Sequence, residues 1–150
     1  MIRASVIGVE DVIGNLRKLD KQTTVKVRQQ MGVSALRVLN DAKTNTPVAF
    51  GRLRDSGKVD TKPGEVKVSF GAGSAQWVEF GRRAGKWPPR QPIEDWVKKR
   101  GIASGKDIKS RAFLIQRKIG LKGTRKQPFL FPAFDRERAR FRSAINKIIK

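Results

Sequence analysis

Residues 27–42 carry the clearest periodic pattern of the sequence and read Val-Arg-Gln-Gln-Met-Gly-Val-Ser-Ala-Leu-Arg-Val-Leu-Asn-Asp-Ala. The apolar residues of this stretch recur every three or four positions, the spacing that lines one face of an α-helix. They are Val27, Met31, Ala35, Val38 and Ala42, widened by Leu36 and Leu39. The pattern predicts a helix of about 20 residues, roughly 30 Å long. It should end at Asn45-Thr46-Pro47, because the residue before a proline avoids the helical conformation.

Shorter elements are predicted on both sides of this helix. Alternation over residues 2–6 predicts an opening strand, and helical spacing from Val9 to Leu19 predicts a first helix, with the polar residues 20–24 interrupting it. Residues 45–58 are typical of an ordered loop. The segments 59–61, 66–70 and 77–80 then predict three short strands joined by two turns, which is an antiparallel meander.

The last half of the chain is predicted to be mainly helical. Residues 81–91 are rich in glycine, proline and arginine, which favours an exposed loop, and Pro92 suits the first turn of a helix through Arg100. Residues 103–111 are polar and predicted to be mobile, before a short helix that ends near Gly120. A last helix begins near Pro132. The prediction is one α+β domain with a long N-terminal helix packed on a small antiparallel sheet and a basic, helical C-terminal part.

Charge is the most unusual property of the composition. The chain has 34 Lys and Arg residues against 13 Asp and Glu, a net charge of +21, and residues 81–150 alone carry +16. A field of this strength attracts polyanions, of which nucleic acid is the commonest. The alternative interpretation is a basic, hydrated surface that keeps the protein soluble.

The residue inventory argues against an enzyme. The chain contains no cysteine, histidine or tyrosine, which excludes disulfides, thiolate metal sites and most acid–base groups. Its carboxylates are scattered, and the pairs Glu94-Asp95 and Asp135/Glu137 lie at predicted helix starts, where they favour the helix dipole. We therefore expect no catalysis, no metal and no cofactor. No apolar stretch suits a signal peptide or a membrane span, so we expect a soluble protein made in the cytoplasm.

The aromatic residues are predicted to serve packing rather than base stacking. Trp77 and Phe80 lie in a predicted strand, and Phe129 and Phe131 lie in an extended segment, as is typical of core or interface residues. Trp87 differs, because its neighbours predict a contact with another subunit; they are Lys86, Pro88, Pro89 and Arg90.

Three blocks of sequence, in this order, resemble a known family. Residues 42–56 read Ala-Lys-Thr-Asn-Thr-Pro-Val-Ala-Phe-Gly-Arg-Leu-Arg-Asp-Ser, residues 75–81 read Ala-Gln-Trp-Val-Glu-Phe-Gly, and residues 127–133 read Gln-Pro-Phe-Leu-Phe-Pro-Ala. They are similar to signatures of the HK97 gp10-like phage tail-component family. Ala49 and Phe50 depart from the usual Asp-Thr of that family. The segment at about 82–126 is longer than the usual spacer, and it forms a basic insertion containing short helices.

The resemblance implies a structural virion protein of a tailed bacteriophage, made in the host cytoplasm. Such proteins are tail-completion, tail-terminator or head–tail joining subunits that form rings, commonly hexamers, at the neck. The implied partners are further copies of the chain, the connector or head-completion protein and the tail tube protein. DNA passes through the channel of such a ring, and no membrane is involved.

The candidate site residues are those that could face a neighbouring subunit or the lumen of the ring. They are Arg52, Arg54, Trp77, Glu79, Arg82, Arg83, Lys86, Trp87, Arg90, Phe129 and Phe131, together with a basic helical face formed by Arg136, Arg138, Arg140 and Arg142. Two alternatives stay open at this point. Charge alone supports a stand-alone nucleic-acid-binding protein, and a small carboxylate-dependent nuclease is the weaker one.

Overall fold

The computed structural model describes residues 2–5, 21–47 and 51–149, with side chains from residue 21 onward. The predicted helix from Val9 to Leu19 and the departures at Ala49 and Phe50 lie outside these residues. The fold is α+β, as predicted. The described elements are β1 (Ile2–Ser5), α1 (Lys21–Asn45), α2 (Arg52–Asp55), β2 (Gly57–Lys62), β3 (Glu65–Phe70), α3 (Ala75–Phe80), α4 (Arg90–Lys99), α5 (Asp107–Lys122) and α6 (Leu130–Ile149).

The chain folds into two units, one formed by residues 1–75 with 128–150 and one by residues 76–127. The predicted basic insertion at about 82–126 lies inside the second unit. The organisation of residues 1–150 as a single domain stays a prediction.

The first unit is built on α1, which packs along α6 and across β2 and β3. The sheet is antiparallel, with the strand order β1-β3-β2, so that β3 is the central strand. Phe70 at the end of β3 and Phe129 before α6 are both fully buried, with ring centroids 5.0 Å apart in an edge-to-face arrangement. Gly57 makes room for the Phe70 ring, since a Cβ there would lie 2.6 Å from Cε1 of Phe70.

Helix α1 confirms the helix predicted from the apolar stripe and extends it at the N-terminal end. It begins at Lys21, so the interruption predicted for residues 20–24 is wrong over residues 21–24. All five residues of the predicted stripe are buried, and so is Leu39, whereas Leu36 is exposed. The apolar stripe is therefore narrower than predicted, and Leu36 lies on the solvent side of the helix.

The third predicted strand is wrong, because residues 75–80 form helix α3. Ala75 and Glu79 are buried while Trp77 and Phe80 are exposed. Burial of positions four residues apart fits one face of a helix, whereas a strand would bury alternate positions. The third strand of the sheet is β1, which pairs with β3 from Ile2 opposite Phe70 to Ser5 opposite Lys67.

Three further boundaries differ from the predictions. The loop predicted at 45–58 contains the single-turn helix α2. Helix α5 begins at Asp107, within the segment predicted to be mobile, because Ile108 packs against an apolar cluster. Helix α6 begins at Leu130, two residues before Pro132, which lies in the first turn where its missing N–H group has no cost.

The second unit has its own small core between α4 and α5. Ile93, Val97 and Ala112 are its buried centre, and partly buried residues pack against them; these are Trp96, Ala103, Ile108, Ile115 and Ile119. An isolated antiparallel bridge joins Arg82 to Thr124 near the two ends of the unit. Within the described residues, no helix is both long enough and apolar enough to cross a membrane.

Candidate assembly surface

The last part of the first signature block, residues 51–56, forms a turn that is held by its own hydrogen bonds. Gly51 has a φ of 76°, which favours glycine, and its carbonyl accepts a 2.8 Å hydrogen bond from the N–H of Asp55. Leu53 is buried. The hydroxyl of Ser56 donates to the Leu53 carbonyl at 2.7 Å and accepts from the N–H of Ala72 at 3.2 Å. The motif therefore anchors α2 to the end of the sheet.

The two arginines of this block lie on the outside of the turn. Arg52 and Arg54 are exposed, and Nε of Arg54 lies 3.4 Å from the carboxylate of Asp55. Since both partners of that ion pair are about half exposed or more, the pair contributes little to stability. Their guanidinium groups are accessible for contacts outside the chain.

The second block, residues 75–81, combines a buried face with an exposed aromatic face. Glu79 is buried, so it does not offer its carboxylate at the surface, whereas Trp77 is exposed. Gly81 ends the helix with a φ of 75°, and a Cβ there would lie 2.7 Å from the Thr124 carbonyl oxygen. Backbone hydrogen bonds of 3.1 and 2.9 Å join Arg82 and Thr124. The Arg82 guanidinium lies 5.1 Å from the centre of the Trp77 ring, a cation–π contact.

The third block, residues 127–133, is mainly a core motif. Phe129, Leu130 and Ala133 are buried, so Phe129 contributes to the core of the first unit rather than to its surface. Phe131 is exposed and follows Phe129 at the start of α6. Of the two phenylalanines predicted for subunit contacts, only Phe131 is therefore accessible.

Trp87 is held on helix α5 by close packing. A Cβ at Gly120 would lie only 3.0 Å from Cε2 of Trp87, so the indole ring requires the glycine beneath it. The Trp87 and Phe113 rings are 6.4 Å apart, and the Arg90 guanidinium lies 5.4 Å from the centre of the Phe113 ring. Two hydrogen bonds fix the same loop: Gly85 N–H to the Gly120 carbonyl at 2.8 Å, and the Gln116 side chain to the Pro88 carbonyl at 2.7 Å. Trp87 nevertheless remains 49% exposed.

The solvent side of α5 carries both apolar and cationic side chains. Leu114 and Leu121 are 54% and 61% exposed and lie seven residues apart, two turns along the same side. The exposed cations on this side are Arg111, Arg117, Lys118 and Lys122. None of these four side chains has an ion-pair or hydrogen-bond partner among the described residues. Together with Trp87 and Phe113, they make an aromatic and cationic surface on the second unit.

A second polar feature lies in the first unit, between α1 and α6. The side chain of Glu137 is 6% exposed and lies 3.5 Å from Nη1 of Arg37 and 3.8 Å from Nη1 of Arg140. Arg136 donates to the carboxylate of Asp41 at 2.9 Å. These residues, with Asn40 and Ala133, line a groove of about 520 Å³.

This groove corrects two interpretations made from the sequence. Glu137 lies two turns into α6 and is buried beside Arg37, so the interpretation as a helix-start charge is wrong. The predicted basic face of α6 divides into two pairs. Arg136 and Arg140 face the acidic residues of this groove. Arg138 and Arg142 each follow two positions later, so they lie on the other side of the helix, where they are exposed.

The predicted site residues are thus brought together only in part. Arg82 contacts the Trp77 ring. Arg90 and Trp87 both contact Phe113, so this residue links them. Arg83 and Lys86 are exposed in the same unit. Sequence reasoning missed Phe113 and Gly120, although their seven-residue spacing places them on one side of a helix. In the part of the chain that the structure describes, no group of three or more acidic side chains could hold a metal ion.

Comparison with known proteins gives one match. Residues 10–81 match the HK97-gp10_like family model, whose description is "Bacteriophage HK97-gp10, putative tail-component". The match includes the first two signature blocks and confirms the resemblance seen in the sequence. The third block and most of the second unit lie beyond it. Comparisons with curated proteins and with solved structures give no match.

Proposed function

We propose, from the match of residues 10–81 to the HK97-gp10-like family of phage tail components, that this protein is a structural subunit of a tailed-phage virion that assembles as a ring at the neck. In this proposal it acts as a tail-completion, tail-terminator or head–tail joining subunit, between the connector and the tail tube. The observation that carries the proposal is the family match, supported by the internal anchoring of the signature residues.

The exposed apolar residues support assembly. Trp87 in the second unit and Val25 and Leu36 in the first are each about half exposed. Apolar side chains clustered at a surface are typical of protein–protein interaction sites. Strand β2 is also an edge of the three-stranded sheet, with backbone groups available for pairing. A ring subunit needs contacts of this kind on both of its sides.

We also propose that the protein has no catalytic activity. Six of its described carboxylates lie within 4 Å of a lysine or arginine nitrogen, and they are Asp41, Asp55, Asp60, Glu65, Glu94 and Glu137. A carboxylate already paired with a cation is poorly placed to act as a base or to hold a metal. The absence of cysteine, histidine and tyrosine points the same way.

The mass of the purified protein by light scattering tests the ring. We expect a discrete ring of about six subunits that persists in high salt, either alone or after mixing with the connector and tail tube proteins of the same phage. Trp87→Ser should weaken that assembly, whereas Lys147→Gln, a change at an exposed residue of α6 outside the candidate set, serves as the control. A chain that forms neither a ring nor a complex, and that binds DNA as a monomer or dimer, would favour the stand-alone nucleic-acid-binding alternative.

A further inference from the structure

The second unit carries an excess of positive charge that its own acidic residues do not balance. Residues 76–127 contain 15 Lys and Arg residues and 4 Asp and Glu, a net charge of +11 in 52 residues. The first unit carries +10 over nearly twice as many residues. Like charges at this density repel one another and destabilise the compact state. A polyanionic ligand would remove that cost.

Helix α5 presents a line of these cations to solvent. Arg111, Lys118 and Lys122 are separated by seven and four residues, so they lie on one side of the helix at rises of about 10.5 and 6 Å. Arg117 is exposed beside them. All four side chains are without a partner among the described residues.

Helix electrostatics do not explain this line. A cation near the C-terminal end of a helix is favoured by the helix dipole, which accounts for Lys122 in the last turn. Lys109 and Arg111 lie near the N-terminal end, where the same dipole disfavours a positive charge. Their presence is explained better by something outside the chain that is negative.

We propose that the solvent side of α5 binds duplex DNA through its phosphates, without preference for sequence. Lysine and arginine side chains on an exposed helix can neutralise successive phosphates and release their counterions, which is the main source of non-specific affinity. A helix with its side chains is 10–12 Å across, about the width of the major groove. The inference goes beyond the assembly role proposed above and rests on different observations.

DNA fits this surface better than an acidic protein does. A protein partner would use Leu114 and Leu121, which are exposed on the same side of α5. Arg111, Lys118 and Lys122, however, lie on the opposite flank of α5 from Phe113 and its neighbour Trp87, about 140–180° around the helix. Lysine is also depleted at the centres of protein interfaces. The charge also extends over the whole second unit rather than forming a rim around an apolar centre. A protein partner is therefore an outcome of the test.

The test measures binding of the full-length protein to a labelled duplex of about 30 base pairs by fluorescence anisotropy, over a range of salt concentrations. The variant Arg111→Gln/Lys118→Gln/Lys122→Gln removes three charges from α5. The matched control, Lys21→Gln/Lys26→Gln/Arg28→Gln, removes three charges from exposed residues of α1. Glutamine keeps the helix propensity high in both variants.

Three lost phosphate contacts should lower the slope of log K against log salt by about 2.7 and weaken binding about 100-fold at 0.15 M salt. The control should weaken binding less than about threefold. Circular dichroism checks that each variant folds, and if the triple variant does not, Arg111→Gln and Lys118→Gln alone should each cost about fivefold.

Three results would overturn the proposal. Failure of the wild-type protein to bind the duplex at 0.15 M salt would overturn the proposal directly. Equal losses in the α5 and α1 variants would show that only the total charge matters. Retained DNA affinity in the α5 variant, with loss of tail tube protein binding in Leu114→Ser/Leu121→Ser, would make this a protein-docking surface instead. Detection of the chain in purified virions is a separate measurement, so failure here leaves the assembly role intact.

Discussion

Replacement of Gly81 by alanine tests the reason for the glycine at the end of the second signature block. Gly81 has a φ of 75°, a conformation that costs a residue with a Cβ about 1–2 kcal/mol. The new Cβ would also lie 2.7 Å from the Thr124 carbonyl oxygen and 2.9 Å from the Lys126 nitrogen. Both are backbone atoms, so the two chain segments must separate.

That separation would break or lengthen the two backbone hydrogen bonds between Arg82 and Thr124. They are 3.1 and 2.9 Å long and each contributes about 1 kcal/mol. With the conformational strain, Gly81→Ala should lower the free energy of unfolding of the second unit by about 3–4 kcal/mol.

Tryptophan fluorescence during urea unfolding measures this loss selectively. All three tryptophans of the chain, Trp77, Trp87 and Trp96, lie in the second unit, so their emission reports on that unit alone. Gly101→Ala is the control in the same unit, because Gly101 also has a positive φ, 63°, but a Cβ there has no atom within 4 Å. The control should lower the free energy of unfolding by the conformational strain alone, about 1–2 kcal/mol. If Gly81→Ala costs no more than Gly101→Ala, the contacts between this turn and Thr124 do not stabilise the second unit.

Two further predictions concern the first unit. Phe129→Ala should lower the free energy of unfolding, followed by far-UV circular dichroism, by about 3–5 kcal/mol, because the ring is fully buried against Phe70. Phe131→Ala, at an exposed position two residues on, should cost about 1 kcal/mol or less, and equal losses would contradict the assignment of Phe129 to the core. Glu137→Gln should lower the free energy of unfolding by about 1 kcal/mol. This loss is smaller than that expected on breaking a fully buried ion pair, because Arg37 is 55% exposed and its charge is screened. A double-mutant cycle with Arg37→Gln measures the coupling, and a coupling of zero would show that the buried carboxylate does not depend on Arg37.

The parts of the fold that sequence predicted well are those determined by local periodicity. The stripe from Val27 to Ala42 defines α1 within one stretch of chain, and the alternation over residues 66–70 defines β3 in the same way. The first two signature blocks lie within the residues that match the family model, and Gly51, Ser56 and Gly81 in these blocks are fixed by local backbone geometry.

The parts that sequence did not predict depend on distant partners. Residues 75–80 fit a strand or a helix equally well over six positions, and burial at Ala75 and Glu79 decides between them. Glu137 is buried beside Arg37, which lies 100 positions earlier in the chain. The Trp87 contact requires Gly120 on another element. No short window of sequence contains both members of such a pair.

Quantitative mass spectrometry of purified phage particles determines whether this protein is part of the virion. The particles are washed in high salt, so that protein held only by charge on released DNA is removed. If the protein forms a hexameric ring at the neck, it should remain with the particles at about six copies, or a multiple of six, for each virion. A chain that is abundant in the lysate of infected cells but missing from the washed particles would contradict its role as a structural component of the tail.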